Sequence, residues 1–439
     1  MHKSTHFIGQ PIFNQLLFFV SRSRIAKIAQ QHDAERYVKK FNTYHHVVVM
    51  LFGVLEGYQS IREVILGLLS NAHTCATHEV RSKLSHLGLS YLVSRSTLSD
   101  ANARRGSAVF EAIYMDVYRR HHSNLSDSKL NNKELKRLYA MDSTTITLFK
   151  EILKGCGRLS KEGKKKGGIK AHTIIGLDDN MPCFVRFTEA TRHDHVLLGD
   201  VRLPKNSIIV FDKGYVDYAR YELFTKEGVY YVTRLKDNAL YLYFVRSTKY
   251  EFGEEYDIPD DADDRILKDE EIFLFYGKNG QEKHRCRRIA FWDSKNQRVF
   301  EFITNNFELS AETIALIYKK RWQIELLFTC AAQSASKQLK QNFPLKYFLG
   351  DNQNAVEIQI WIAMLANLLI SLIRSKVKKK WAFSNTAYFV HSTSMVSVIR
   401  RQLMSYINIY AFLEDPEGSW KKVVVDNKEE YENSLFPKI

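Results

Sequence analysis

Two short apolar segments of the chain each end in an aspartate. Residues 137–141 lead directly into Asp142, and residues 207–211 lead directly into Asp212. Continuous apolar runs of this length are typical of strands that are buried on both faces. Helices between such strands produce an α/β sheet, and the strand ends of such a sheet carry its functional groups. The pattern therefore predicts an α/β core with two carboxylates at its strand ends.

The rest of the chain indicates four further regions. Helical spacing predicts a helical N-terminal domain over residues 1–135, before a first core segment at 136–235. Residues 236–306 interrupt the α/β rhythm with short runs separated by turns, which predicts an all-β insertion. Helical patterns resume over 307–375 as the second core segment, and residues 376–439 change from basic to acidic.

The overall charge indicates the class of partner. The 439 residues include 64 Lys and Arg against 49 Asp and Glu, a net charge of +15. An excess of this size favours a polyanion, either nucleic acid or an anionic membrane surface. The most apolar stretch, residues 358–373, is shorter than the roughly 20 residues that cross a bilayer, so we expect a buried helix and no membrane partner.

Other features narrow the compartment and the cofactor. The five cysteines are scattered and never form a C-x-x-C motif. This spacing indicates neither a disulfide framework nor a zinc cluster, and the cytosol is the expected compartment. The chain has no glycine-rich phosphate loop of the Walker type, so we expect no nucleotide cofactor.

A third carboxylate lies in a helical pattern. Tyr318, Arg321 and Glu325 share one helix face within about 60°, although an ordinary surface Arg–Glu pair gives the same pattern. With Asp142 and Asp212 they predict a cluster whose carboxylates repel by about 4 kcal/mol per pair at 4 Å, so that without a cation it is strained or partly protonated. Mg²⁺, with Mn²⁺ as a substitute, suits such ligands, and two ions support in-line displacement at phosphorus.

These motifs resemble those of the DDE transposases of bacterial insertion sequences, specifically the insertion-sequence-4 type. The resemblance rests on residues 142–144, 167–172 and 211–215 and on Tyr318, Arg321 and Glu325. It implies an RNase H-like core, Mg²⁺-dependent cleavage at transposon ends and strand transfer into target DNA. By position it makes Asp142, Asp212 and Glu325 the metal ligands, and Tyr318 and Arg321 contacts to double-stranded DNA near the scissile phosphate. A homodimer that brings two ends together is expected.

The chain departs from the family pattern after Glu325. The expected lysine corresponds to Lys340, which is displaced by eight additional residues at 329–336. In a continuous helix Lys340 would lie about 12 Å too far along the axis. Either the insert loops out and restores Lys340, or the lysine function is lost or taken by Lys337. A catalytically disabled DNA-binding copy and a stand-alone RNase H-like nuclease therefore remain alternatives to an active transposase.

Five further basic residues are candidates for contacts to DNA. Lys170 and His172 alternate on one predicted strand face, and ordinary exposed strand residues are the alternative explanation. Lys165 lies in a basic turn that leads into two glycines. Arg104 and Arg105 end a short predicted helix, where they either enter a DNA groove or complement the helix dipole.

Overall fold

The computed structural model describes residues 11–73, 89, 91–125, 137–147, 168–177, 179, 181–189, 194–237, 239–243, 256, 263–277, 280–328, 348–377, 399, 403 and 409–414. Within these ranges the side chains at 71–73, 124, 144–147, 168, 194–196, 322–328 and 411 lie outside the description. The chain divides into two compact units. One comprises both ends of the chain, Met1–Leu125 and Cys330–Ile439, and the other comprises Ser126–Thr329. The domain boundaries predicted above remain a proposal.

The unit formed by the two chain ends is helical in its described part. Its helices are α1 (Ile12–Leu17), α2 (Arg22–Gln31), α3 (Thr43–Glu56), α4 (Ile61–His73), α5 (Arg95–Arg104), α6 (Ser107–His121), α9 (Gln353–Lys376) and α10 (Ile409–Glu414). Helices α7 (Tyr218–Glu227) and α8 (Ala311–Phe328) belong to the other unit.

Helix α9 forms the core of this helical unit. It packs against α3, α5 and α6. Of the described helices it is the one that is long and apolar enough to cross a membrane, but 89% of its most apolar window is buried inside the protein. The buried helix that the sequence predicts at 358–373 is therefore present, and its apolar side chains are accounted for by packing within the unit.

A buried hydrogen-bond network connects α3 to the end of α5. The Nε2 atom of His46 lies 2.7 Å from Oδ1 of Asn102, and its Nδ1 atom lies 2.9 Å from the Arg105 guanidinium. Because arginine is only a donor, Nδ1 must accept, so His46 is neutral and donates through Nε2. Burial, followed by the charge of Arg105, lowers the pKa of His46 to about 3.

This network corrects the expectation for Arg105. Its guanidinium is buried and also donates to the carbonyl oxygen of Phe41 at 2.7 Å. The side chain is therefore engaged inside the helical unit and is not presented to DNA. Arg104, the neighbouring residue at the end of α5, is exposed and remains a candidate for a DNA contact.

The buried imidazole predicts an acid-dependent loss of stability. The pKa of His46 is about 3 in the folded chain and about 6.5 in the unfolded chain, so only the unfolded chain binds a proton between these values. The stability that neutral His46 contributes is complete above pH 6.5 and falls as the pH decreases. At pH 5 the free energy of unfolding is lower by about 2 kcal/mol. Urea unfolding at pH 7.5 and pH 5, followed by circular dichroism, measures it.

The variant His46→Gln removes the titrating group, so we expect a smaller loss of stability between pH 7.5 and pH 5 than in the unaltered protein. The exposed His32 provides the matched control, and His32→Gln should keep the full loss. An unchanged difference between the two pH values in His46→Gln would contradict this account.

The unit Ser126–Thr329 contains one mixed sheet. The strands among its described residues are β1 (Leu138–Thr147), β2 (Gly168–Gly176), β3 (Pro182–Glu189), β4 (Ile208–Phe211), β5 (Tyr230–Arg234), β6 (Tyr241–Tyr243), β7 (Arg265–Tyr276), β8 (Glu282–Asp293) and β9 (Arg298–Thr304). Their order across the sheet is β3-β2-β1-β4-β5-β9-β8-β7-β6. Strands β1, β4 and β5 are parallel neighbours, and the other neighbouring pairs are antiparallel.

Local sequence explains the parallel centre of the sheet. Strand β4 is buried at all of its positions, as expected for a strand that is covered on both faces. Helix α7 joins it to β5. This helix begins after Asp217, whose side chain accepts a hydrogen bond from the Arg220 backbone, and ends at Gly228, whose φ of 71° is left-handed. The predicted α/β fold class is confirmed, and the order β3-β2-β1-β4-β5 is consistent with an RNase H-like core.

The strands predicted at 236–306 extend this same sheet. Strand β9 pairs antiparallel with β5, with Thr233 opposite Ile303. Strands β8, β7 and β6 then follow outward in antiparallel order. Without β9, strand β5 would be an unpaired edge with free backbone groups. The all-β insertion therefore covers the edge of the core rather than forming a separate sheet.

Candidate active site at the ends of the parallel strands

Asp142 lies beside the ends of β4 and β5. Strand β1 continues to Thr147, so Asp142 lies within this strand and not at its end, which corrects the expectation from the sequence. Met141 pairs with Phe211 across β1 and β4, and Val210 pairs with Val232 across β4 and β5. Continuing each register by one or two residues places Asp142 beside Asp212 and Asp212 beside Arg234. Neighbouring strands lie about 4.8 Å apart, so two carboxylates and a guanidinium form a row across β1, β4 and β5.

Asp212 is held by two side-chain donors. Arg234 donates from a terminal guanidinium nitrogen to Oδ1 of Asp212 at 2.9 Å, and the Tyr318 hydroxyl donates to the same oxygen at 3.3 Å. Burial by itself would raise the pKa of Asp212. The hydrogen bond from Arg234 and the charges of Arg321 and Arg234 outweigh burial and lower the pKa below its ordinary value. Asp212 is therefore ionised at neutral pH, which corrects the expectation of a partly protonated cluster at this residue.

Helix α8 carries the predicted Tyr-Arg-Glu face. It packs against β1, β4 and β5. Tyr318 and Arg321 are both buried, and the Arg321 guanidinium lies 5.4 Å from the centroid of the Tyr318 ring. The hydroxyl of Tyr318 contacts Asp212, so this face of the helix meets the strand ends. Glu325 lies one turn further along α8, but its side chain is outside the described residues, and its place at the site remains a prediction.

Lys170 and His172 do not face the row formed by Asp142, Asp212 and Arg234. In the β1–β2 pairing Asp142 is opposite Thr173, so the neighbouring His172 and also Lys170 point to the other face of the sheet. Both are buried. The ring of His172 lies 2.9 Å from the Thr188 hydroxyl and 3.3 Å from that of Tyr215. The expected direct contact of these two residues with a DNA phosphate is therefore corrected.

The carboxylates fit a divalent cation. Asp142 and Asp212 offer hard oxygen donors from adjacent parallel strands, the donor type that Mg²⁺ prefers. Within the described part of the chain there is no group of three His, Cys, Asp or Glu side chains that could hold a metal ion. The described donor set is thus a carboxylate pair, and Glu325 is the expected third ligand.

Sequence reasoning missed Arg234. Arg234 is the last residue of strand β5, and Asp212 is the residue that follows strand β4. Because neighbouring parallel strands end at the same edge of a sheet, the position of Arg234 at the end of a predicted strand was the signal that could have identified it. Of the other predicted DNA contacts, Lys165 and Lys340 lie outside the described residues, as does the insert at 329–336.

A sheet of this order, with Asp142 and Asp212 on neighbouring parallel strands, is consistent with the RNase H-like class of proteins. Residues 133–369 match the sequence profile of the transposase DDE domain, which covers more than half of the chain. The chain therefore belongs to the DDE transposase family, whose activity is DNA cleavage and strand transfer. Residues 8–90 match a domain of unknown function.

Curated relatives agree with this family. A putative transposase of Sinorhizobium fredii, y4zB, is 29% identical over 278 residues, which are 63% of this chain and 70% of the relative. A putative transposase for insertion sequence element IS4SA of Synechocystis is 25% identical over 332 residues, 73% of this chain and 83% of the relative. A probable transposase for IS5377 of Geobacillus stearothermophilus is 26% identical over 266 residues, 61% and 62% of the two chains.

The chain also aligns with solved structures, among them the cryo-EM structure of the piggyBac transposase synaptic complex with hairpin DNA. The alignment covers 96% of this chain and 85% of the other, with 14% sequence identity and a TM-score of 0.40. The transposase family expected from the motifs is confirmed by the profile and the curated relatives.

The hydroxyl of Tyr318 offers a direct test of the site. Tyr318→Phe removes its hydrogen bond to Asp212 but keeps the ring, which packs on Phe302 at a centroid distance of 4.8 Å. Because one such bond contributes about 1 kcal/mol, we expect about a fivefold loss of Mg²⁺-dependent cleavage and a nearly unchanged melting temperature. Tyr37→Phe, at an exposed tyrosine, is the control. Full cleavage by Tyr318→Phe would contradict a role for this contact.

Proposed function

We propose that this transposase is active, and that Asp142, Asp212 and Glu325 are the ligands of its divalent metal. The observation that carries the proposal is the parallel register that brings Asp142 and Asp212 together beside helix α8, which contains Glu325. The family implies the use of a divalent metal. We propose that the site binds two Mg²⁺ ions, with Mn²⁺ as a substitute.

The side chains around the carboxylates have separate tasks. Bound Mg²⁺ supplies activation of the attacking water or 3′-hydroxyl and stabilisation of the leaving oxygen. Asp142 and Asp212 bind the cation, and Asp212 is already ionised to do so. Arg321 is buried beside the Tyr318 ring, so it acts on the scissile phosphate through its positive charge and not through an exposed contact, and Tyr318 holds the orientation of Asp212.

The family acts on DNA. We propose that positively charged residues of this chain contact it. The net charge of +15 supports contacts with the phosphate backbone by the helical region 1–135, where Arg104 is exposed. Lys165 and Lys340 are proposed as further contacts. We infer that two copies bind two transposon ends, and that the protein acts on the nucleoid in the bacterial cytoplasm. The relatives named as insertion-sequence transposases support this setting.

The carboxylates provide the central test. Asp142→Asn, Asp212→Asn and Glu325→Gln each remove a negative oxygen ligand, so each should reduce cleavage of end DNA in Mg²⁺ to background. Binding of the same DNA in EDTA should be retained, because it depends on basic residues. The exposed Asp200 gives a matched control, and Asp200→Asn should cleave normally. Retained cleavage by any of the three site variants would remove that residue from the proposed set.

A second candidate is DNA binding without catalysis, favoured by the eight additional residues at 329–336, which begin immediately after the described end of α8 at Phe328. An active enzyme predicts cleavage by the complete chain in Mg²⁺ or Mn²⁺. The disabled copy predicts end binding that weakens with salt, no cleavage, and cleavage restored by deletion of 329–336. A stand-alone nuclease, in contrast, would cut without requiring two paired ends.

A further inference from the structure

Arg234 contacts the proposed metal ligand Asp212 and the tyrosine of α8 at once. It donates to Oδ1 of Asp212 at 2.9 Å. Its guanidinium carbon lies 5.9 Å from the ring centroid of Tyr318 and 5.9 Å from that of Phe300. The side chain is 22% exposed, so it lies at the rim of the site, with its stem in the protein.

The backbone of Arg234 is held by strand pairing. Arg234 itself lies opposite Phe302 of β9, and on the other side of β5 the pairing with β4 extends to Val232, two residues before Arg234. The next residue, Leu235, donates its backbone N–H to the carbonyl oxygen of Glu301 at 2.8 Å. A donor on a strand paired along both edges has little freedom, which is the condition for holding a ligand in a set geometry.

Both side-chain donors to Asp212 meet at the same oxygen. Arg234 and Tyr318 bond to Oδ1, one from a strand end and one from a helix. Rotation of the carboxylate would break both bonds. Asp212 therefore has one favoured orientation before any cation or DNA arrives.

We propose that Arg234 is a positioning residue of the active site, which orients the Asp212 carboxylate for the divalent cation. This inference rests on the proposed role of Asp212 as a metal ligand. The positive charge of Arg234 opposes a nearby cation, while the orientation that it imposes favours binding. Groups that orient metal ligands through hydrogen bonds typically contribute 10- to 100-fold in affinity, and Arg234 also offsets the repulsion between the two aspartates. The effect of this orientation on the affinity for the cation is larger than the effect of charge repulsion.

The experiment measures Mn²⁺ binding to the full, DNA-free protein by electron paramagnetic resonance. Arg234→Met keeps the length of the stem and removes every donor, so we expect binding to weaken by about 10- to 100-fold. Arg234→Lys keeps one donor and the charge and should recover part of the affinity. Cleavage by both variants should require correspondingly more Mg²⁺, whereas end binding in EDTA and the melting temperature should stay close to those of the unaltered protein.

Arg298 supplies the matched control. Its guanidinium also lies over the Phe300 ring, at 4.1 Å from the centroid, but it is not among the described donors to Asp212. Arg298→Met should bind Mn²⁺ with unaltered affinity. An equal loss in Arg298→Met would assign the effect to the aromatic contact and overturn the proposal.

Asp212→Ala separates failure of this inference from failure of the proposed function. If Asp212→Ala binds Mn²⁺ as tightly as the unaltered protein, the metal site itself is wrong. If Asp212→Ala loses binding while Arg234→Met binds equally or more tightly, the metal site stands and the positioning role is overturned. If Arg234→Met does not fold, Arg234→Lys decides, because unchanged Mn²⁺ affinity and unchanged Mg²⁺ requirement would also overturn the role.

Discussion

The site depends on the parallel register of β1, β4 and β5. The pairing of Met141 with Phe211 and of Val210 with Val232 aligns the residues that follow, Asp142, Asp212 and Arg234. A slip of one residue would turn Asp212 to the opposite face of the sheet. The carboxylate would then lose both Arg234 and Tyr318. Backbone pairing, rather than any single side-chain contact, therefore determines whether the acidic residues meet.

Once they meet, two neighbouring carboxylates oppose each other. At about 5 Å and an effective dielectric near 20, their repulsion is about 3 kcal/mol. The structure offsets this cost with guanidinium groups, because Arg234 bonds to Asp212 and the charge of Arg321 also acts on it. The low pKa of Asp212 is the result. The site therefore carries its own counter-charges, and Asp212 is ionised without a bound metal.

Local patterns were sufficient for part of this arrangement. Asp142 and Asp212 follow apolar runs, and Tyr318 and Arg321 share a helix face, so their neighbourhood in the sequence indicated them. Arg234 requires knowledge that β5 is parallel to β4. The burial of His172 and Arg105 depends on partners distant in the chain, such as Thr188 and His46. Strand and helix periodicity identifies a polar residue but not its remote partner, which is why these roles were misjudged.

The insertion strands contribute to the site through β9. By pairing with β5, this strand holds the backbone of Arg234 on the side opposite β4. Its Phe302 ring packs against Tyr318, and its Phe300 ring lies beside Arg234. Both donors to Asp212 therefore lie against side chains of the same strand. Because a close-packed interior transmits displacement, a change in β9 would move both donors to Asp212 together.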